Sequence, residues 1–173
     1  MTNTQQEHYS PKTTPLPSPP SQLPPPTVIV IHPRERRSKC SVEPLRQNPD
    51  YLFVTFPKPV PIDLSNYVRL GIGGPALSSN DSNSGLLLLD GTWKRAAQML
   101  PFYQHLPVRS LPPVRTAYPR RSEVFEDPAE GLATIEALYT ALKILERPTT
   151  GLLDQYYWRE TFLQINGWQP TPA

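Results

Sequence analysis

Cysteine is almost absent from this 173-residue chain, which contains Cys40 alone. One cysteine excludes an internal disulfide, and no Cys and His residues have the spacing of a structural zinc site, so we expect no metal. The longest apolar runs, at residues 28–31 and 86–89, are far too short to span a membrane. The N-terminus also lacks the basic and apolar segments of a secretory signal. These absences predict a cytoplasmic protein in a reducing compartment, without a membrane partner.

Glycine is scarce, with 8 residues, whereas proline is abundant, with 24. Eight of the prolines fall within residues 1–26, which contain no sustained apolar run. Such a segment buries too little surface to offset the entropy of ordering, so we predict a disordered proline-rich leader over residues 1–26. The rest of the chain is expected to form one domain over residues 27–168 and a short tail over residues 169–173. Its sixteen prolines argue against a helical bundle, because proline ends helices.

Acidic residues are absent from residues 91–122, where six basic residues occur. A second basic run lies at residues 34–39. Basic runs are often only solvated surface. Two of them in one half of a small domain nevertheless favour a polyanionic partner such as nucleic acid.

Short aliphatic and β-branched runs predict the strands. Residues 27–31 and 85–90 show no alternation of apolar and polar residues, which is typical of strands covered on both faces in a parallel sheet. Residues 51–56 and, more weakly, 68–72 predict two further strands, and residues 106–118 are too rich in proline for a regular element. Helices are predicted at residues 92–103, from Asp127 to residue 147, and at residues 152–165. Strands that alternate with helices indicate an α/β domain with four or five strands.

Three polar segments are candidates for a functional site: residues 32–35, residues 90–93 and residues 111–115. The first two directly follow predicted strands, at the sheet edge where α/β proteins bind ligands. Each side chain also has a purely structural interpretation: Asp90 as a helix cap, Trp93 as a core anchor and His32 as a hydrogen-bonded histidine. Cys40 has no histidine near it in sequence, which favours an inert thiol. Residues 71–75 are glycine-rich, but their spacing matches no phosphate-binding motif, and we interpret them as a turn.

The run LLLLDGTW at residues 86–93 resembles the D-x-T-W motif of the DTW-domain family of aminocarboxypropyltransferases. Four further segments resemble family motifs in the same order along the chain: HPRE at residues 32–35, KCS at residues 39–41, LP at residues 111–112 with Tyr118 and Arg120-Arg121 beyond it, and GLATIEA at residues 131–137. Together the similar segments span residues 28–166, nearly the whole predicted domain.

The resemblance implies a SPOUT-like α/β fold, in which helices flank a mostly parallel sheet and the chain forms a deep trefoil knot, an exception to the general absence of knots. It also implies transfer of the 3-amino-3-carboxypropyl (acp) group of S-adenosylmethionine to a uridine of transfer RNA, with release of methylthioadenosine. Alternatives are acp transfer to small-subunit ribosomal RNA, SPOUT-like methyl transfer to RNA, and an RNA-binding protein that has lost activity. Many family members carry an N-terminal cysteine cluster likened to a zinc site, which this chain lacks, so zinc is not implied.

The resemblance also implies roles for individual residues. Asp90 and Trp93 are the candidate catalytic residues: Asp90 would accept the proton of uridine N3 or orient the base, and Trp93 would stack on the cofactor or the base. Cofactor contacts are implied for six residues, namely Ser41, Leu89, Leu111, Pro112, Thr134 and Ile135. RNA contacts are implied for seven residues, namely His32, Arg34, Arg36, Arg37, Arg115, Arg120 and Arg121.

Overall fold

The computed structural model describes residues 24–119 and 131–169, which contain a five-stranded sheet. In chain order the strands are β1 Thr27–Ile31, β2 Tyr51–Thr55, β3 Tyr67–Leu70, β4 Gly85–Asp90 and β5 Val108–Arg109. Their spatial order is β2-β1-β4-β3-β5, and every pairing is parallel. The predicted α/β class with a mostly parallel sheet is therefore confirmed, although β5 is a short strand in a segment predicted to be irregular. The trefoil knot stays a prediction.

Three α-helices accompany the sheet in the described ranges: α1 Trp93–Met99, α2 Thr134–Ile144 and α3 Arg159–Ile165. A 3-10 helix, Leu100–Tyr103, continues directly from α1. None of the helices described has the length and apolar composition needed to cross a membrane.

The sheet separates two apolar layers, because alternate residues of a strand point to opposite faces. On one face, Ile29 of β1 and Leu88 of β4 belong to the larger cluster, which includes buried residues of α2 and α3. On the other face, Val30 and Leu87 pack with Met99 at the end of α1. All five residues of β1 are buried, since β2 and β4 flank it and both faces are covered. This placement explains why its sequence does not alternate.

Helix α2 begins later than the sequence predicts. Residues 131–133 are not helical, and residues 127–130, where the start was predicted, lie outside the described part of the chain. At the N-terminus of α2, Oε2 of Glu136 accepts a hydrogen bond from the backbone N–H of Ala133 at 2.9 Å. An acidic side chain at the third helical position is well suited to this contact. The continuous helix predicted from Asp127 is therefore wrong.

The first and third helices are also shorter than predicted. The predicted helix at residues 92–103 is α-helical only to Met99, where it tightens to the 3-10 form just before Pro101. Thr92 occupies the N-cap position but makes no side-chain capping hydrogen bond. Residues 152–158 form turns rather than helix, held by local bonds such as Tyr156 N–H to Leu153 O at 2.9 Å, so α3 begins only at Arg159.

The beginning of β1 is fixed at the amino edge of the sheet. The hydroxyl of Tyr67, at the start of β3, donates a hydrogen bond to the backbone oxygen of Pro26 at 2.8 Å. The backbone N–H of Thr27 donates to Asp50 O at 2.9 Å, just before β2. The leader boundary at residue 26 and the tail boundary at residue 169 stay predictions.

Candidate functional site

The carboxyl ends of the strands meet at one edge of the sheet, because all pairings are parallel. The segments that follow β1 and β4 are joined there by a hydrogen bond from His32 N–H to Asp90 O at 3.1 Å. The segments that follow β3 and β5 are joined by a bridge between Ala76 and Ser110. The polar segments singled out in the sequence therefore converge on this edge.

A cavity of about 770 Å³ opens at the carboxyl edge. This volume lies within the range of small-molecule sites in proteins. Its lining comes from the loop after β3, from α1, from the segment after β5 and from the start of α2. Five predicted site residues line it: Leu89, Trp93, Leu111, Pro112 and Thr134. Trp93 is 37% exposed, so it is an accessible wall of the cavity rather than the core anchor that the sequence left open.

Ser41 and Ile135, the other two predicted cofactor residues, lie next to the cavity rather than on its wall. The Ser41 hydroxyl accepts the backbone N–H of Ile135 at 3.1 Å, across 94 residues of sequence. This bond satisfies a free N–H at the start of α2, which is the usual role of a capping hydroxyl. Because Thr134 precedes Ile135, the contact also fixes a residue of the cavity wall.

Asp90 is buried behind the cavity and is 4% exposed. Its Oδ1 accepts the hydroxyl of Thr134 at 2.7 Å, and its Oδ2 accepts the thiol of Cys40 at 3.1 Å. The carboxylate therefore connects the end of β4 with α2 and the segment at residue 40, instead of capping α1. Burial raises the pKa of Asp90, and the hydrogen bonds from Thr134 and Cys40 partly oppose that rise.

Cys40 stays a thiol at physiological pH. Burial, together with the charge of Asp90, raises the pKa of Cys40 to about 12. A thiol with so high a pKa is a poor nucleophile, in keeping with the structural interpretation drawn from the sequence.

The raised pKa of Asp90 makes stability depend on pH in a predictable direction. Protonated Asp90 contributes to the free energy of unfolding. This contribution is complete below the ordinary aspartate pKa of 3.8 and is lost as the pH rises through the higher pKa of the folded protein. Asp90→Asn removes this titration but keeps an oxygen that can accept the Thr134 hydroxyl. We expect the free energy of unfolding of the wild type, relative to Asp90→Asn, to fall as the pH rises from about 4 toward 8. Urea unfolding of both proteins across this range measures it, and a difference that is constant or grows with pH would contradict the prediction.

His32 is buried, and both of its ring nitrogens make hydrogen bonds. Its Nδ1 accepts the backbone N–H of Arg34 at 3.2 Å, so Nε2 carries the proton and donates to Gln98 Oε1 at 3.1 Å. The ring also stacks on Phe56, with centroids 6.3 Å apart. These contacts fix the loop after β1 against α1 and leave little of the ring for the predicted contact with RNA.

The predicted RNA-binding arginines divide into three groups. Arg34, Arg36 and Arg115 are exposed, and their side chains form no ion pair within residues 24–119 and 131–169. Arg37 is exposed but forms an ion pair with Glu43. Arg120 and Arg121 lie outside the described residues. The Asn166 side chain holds the backbone of Arg115, accepting its N–H and donating to its carbonyl, each at 2.9 Å.

Two other basic residues of the acid-free stretch are paired at long range. Arg95 contacts Glu35 at 2.7 Å, and Arg109 contacts Asp81 at 2.9 Å. The partners are separated by 60 and 28 residues, respectively. Counting charge along the sequence therefore overstates the positive charge of this stretch.

Glu136 is a central residue of the site that our sequence reasoning gave no role. It is fully buried, at 0% exposure, and accepts four hydrogen bonds. The donors are Thr116 Oγ1 at 2.6 Å, Ala117 N at 2.8 Å, Ala133 N at 2.9 Å and Tyr156 Oη at 2.9 Å. Burial and the neighbouring carboxylate raise the pKa of Tyr156. Glu136 thus attaches the irregular segment after β5 to the start of α2. The available signal was the acid of GLATIEA, which is the third residue of the helix.

Among the described residues, no group of three or more His, Cys, Asp and Glu side chains is arranged to hold a metal ion.

The chain is similar to a known protein family and to a solved structure. The DTW domain family model matches residues 5–159 of the chain. The solved structure of the SAM-dependent rRNA:acp-transferase Tsr3 from Vulcanisaeta distributa is similar, with a TM-score of 0.59 and 25% sequence identity. The match covers 82% of this chain and 79% of that one. A search of curated proteins gave no match.

Proposed function

This chain belongs to the DTW domain family, and from that membership we propose that it transfers the acp group of S-adenosylmethionine to a uridine of RNA. The observation that carries the proposal is the cavity at the carboxyl edge, whose wall contains Trp93 of the DTW motif and Thr134 of the GLATIEA segment. Independent support comes from the similarity to Tsr3, an rRNA:acp-transferase that depends on S-adenosylmethionine.

The cavity suits a sulfonium compound attached to adenosine. Apolar side chains such as Leu89 and Leu111 offer a surface for an adenine ring, while Trp93 presents an accessible aromatic face. A positively charged sulfonium near that face gains cation–π attraction. Ser41, behind the wall, supports the start of α2 through Ile135 N–H and is proposed to contact the amino-acid end of the cofactor. Ile135 is proposed to line the adenine slot beside Thr134.

In the proposed reaction, uridine N3 attacks the carbon of the acp chain that is bonded to sulfur. The new N–C bond forms as the C–S bond breaks, and methylthioadenosine leaves as a neutral thioether. The N3 proton must be removed, and Asp90 is the proposed acceptor. Because the Thr134 hydroxyl lies on the cavity wall and donates to Asp90, it provides a hydrogen-bonded connection between the reacting base and this carboxylate. Which carbon next to sulfur is attacked depends on how the site orients the two reactants.

We propose transfer RNA as the substrate, because HPRE and LLLLDGTW resemble the branch of the family that modifies it. Small-subunit ribosomal RNA is the second candidate, because Cys40-Ser41 and the segment from Tyr157-Trp158 to Asn166 resemble the ribosomal branch. The similarity to the rRNA:acp-transferase Tsr3 also favours it. The exposed Arg34, Arg36 and Arg115 are proposed to contact phosphates of either RNA, with an affinity that falls as salt rises. We propose phosphate contacts for Arg37, Arg120 and Arg121 as well.

One assay tests the activity and separates the substrates. The full chain is incubated with total RNA and S-adenosylmethionine labelled in the carboxypropyl group, and transfer and ribosomal RNA are then separated. We expect label in transfer RNA and none in a matched reaction with methyl-labelled cofactor. Label in ribosomal RNA alone selects the second candidate. Label in neither fraction overturns the proposed activity, and methyl label alone indicates a methyltransferase.

A further inference from the structure

Arg69 is a buried arginine in the interior of β3. It is 8% exposed, and its Nε is buried without a hydrogen-bond partner among the residues described. Within residues 24–119 and 131–169 its guanidinium also forms no ion pair. Burial lowers the pKa of Arg69, but an arginine remains charged in proteins. A buried charge is costly unless it is paired, so this arrangement calls for a partner.

The guanidinium lies at the cavity. Val68 and Leu70 of β3 point into the cluster on the α2 side of the sheet, so Arg69 points to the opposite face, on which Met99 of α1 packs. Arg69 is part of the cavity wall, together with Trp93 and Leu100 from the α1 side. An anionic partner therefore has room to reach Arg69 from the cavity.

The glycine-rich loop after β3, residues 71–74, covers this arginine and also lines the cavity. A Cβ built on Gly71 would lie 2.7 Å from Arg69 Nη1, and one built on Gly74 would lie 2.6 Å from the carbonyl oxygen of Val108. Gly73 has a φ of 83°, which favours glycine. Glycine at position 71 therefore lets the backbone of the loop lie close to the guanidinium.

Arg147 is a partly buried arginine whose hydrogen bonds are structural. Its Nε is also unpaired, but its Nη2 donates to the carbonyl oxygens of Ser82 and Ser84. Arg147 is not part of the cavity wall. Arg69 has no such carbonyl partners in the described chain, so its position is not explained by a structural hydrogen bond.

We propose that Arg69, beneath the residue 71–74 loop, is an oxyanion-binding site of the cavity. A guanidinium presents paired N–H donors that match the two oxygens of a carboxylate or of a phosphate. The identity of this oxyanion rests on the proposed function. Under that function it is either the carboxylate of the acp group or a phosphate of the RNA next to the reacting uridine.

The variant Arg69→Met tests the site, because methionine keeps much of the side-chain length without charge or donors. Calorimetric titration with S-adenosylmethionine and with methylthioadenosine, which lacks the acp group, isolates the carboxylate. RNA binding measured at one moderate salt concentration isolates the phosphate. We expect a loss of roughly 10- to 100-fold in the affinity for S-adenosylmethionine, with methylthioadenosine unchanged, or a loss of that size for RNA. If neither affinity changes, the proposal is overturned.

Arg147→Met is the matched control. It removes a partly buried arginine that lies away from the cavity and bonds two backbone carbonyls, so it should lower the melting temperature and leave all three affinities unchanged. Arg69→Met, in contrast, should keep or raise the melting temperature, because it removes an uncompensated buried charge. A lower melting temperature for Arg69→Met with unchanged affinities would assign the arginine a structural partner elsewhere in the chain and overturn the site.

A third measurement separates this site from the proposed activity. Sodium sulfate, compared with sodium chloride at equal ionic strength, should raise the melting temperature of the wild type more than that of Arg69→Met. If the wild type binds neither cofactor nor RNA, the proposed function fails, and the sulfate comparison still decides the oxyanion site. An equal response of both proteins to sulfate would then overturn it.

Discussion

Replacing Asp90 with alanine is expected to reduce acp transfer by at least about 100-fold, the loss typical when a general base is removed. Asp90 is the only proposed proton acceptor, and its Oδ1 holds the Thr134 hydroxyl at 2.7 Å on the cavity wall. The substitution removes both functions and leaves a small void behind the cavity. Transfer of the carboxypropyl label to RNA under single-turnover conditions measures the effect.

Asp90→Asn separates the two functions of this carboxylate. Asparagine can still accept the Thr134 hydroxyl but cannot take up a proton. If Asp90 accepts the proton, Asp90→Asn should be nearly as inactive as Asp90→Ala. If it only positions Thr134, most activity should return.

Asp81→Ala is a suitable control, since Asp81 is also buried and paired, with Arg109 at 2.9 Å, but does not line the cavity. It should retain transfer activity. Wild-type turnover in Asp90→Ala would refute the role of Asp90.

Replacing Glu136 with alanine is expected to cost about 3–5 kcal/mol of unfolding free energy, because each donor left without its acceptor in the interior costs about 1–3 kcal/mol. The substitution leaves four donors without their acceptor: the Thr116 and Tyr156 hydroxyls and the backbone N–H groups of Ala117 and Ala133. Since small domains are stable by only about 5–15 kcal/mol, a loss of this size is a large part of the total. Urea unfolding followed by circular dichroism measures it.

Glu43→Ala is the matched control for that loss. Like Glu136, Glu43 accepts several hydrogen bonds. Its donors are Arg37 and Arg46, whose side chains are 76% and 35% exposed. Its removal should cost no more than about 1 kcal/mol, because exposed ion pairs contribute little. A loss of similar size in the two variants would show that the Glu136 network does not hold the fold.

The strands were predictable from the sequence because their signal is local. The runs that became β1 and β4 lack polar alternation, and both strands lie in the middle of the sheet with neighbours on each side. Their neighbours β2 and β3 were predicted within two residues. Among the strands of residues 24–119 and 131–169, only β5 was missed, since a strand of two residues has almost no periodicity to detect.

The site was predictable in its location but not in its internal contacts. Parallel strand ends meet at one edge, so the segments after β1 and β4 could be assigned to that edge from their order alone. The contact of Asp90 with Thr134 spans 44 residues, and that of Glu136 with Thr116 spans 20. No spacing rule connects such pairs, because packing of the whole domain decides them. For the same reason, the solitary arginine of β3 could not be distinguished from a surface arginine.

The hydrogen bond from the Tyr67 hydroxyl to the backbone oxygen of Pro26 has a practical consequence for handling the protein. It fixes the entry of the chain at the amino edge of the sheet, whereas the cavity opens at the carboxyl edge. The five residues of β1 separate these edges by about 16 Å. An affinity tag or biotin attached at residue 24 therefore lies on the side away from the cavity. Immobilising the domain at that residue should leave the cavity mouth turned toward solution for surface-based binding measurements.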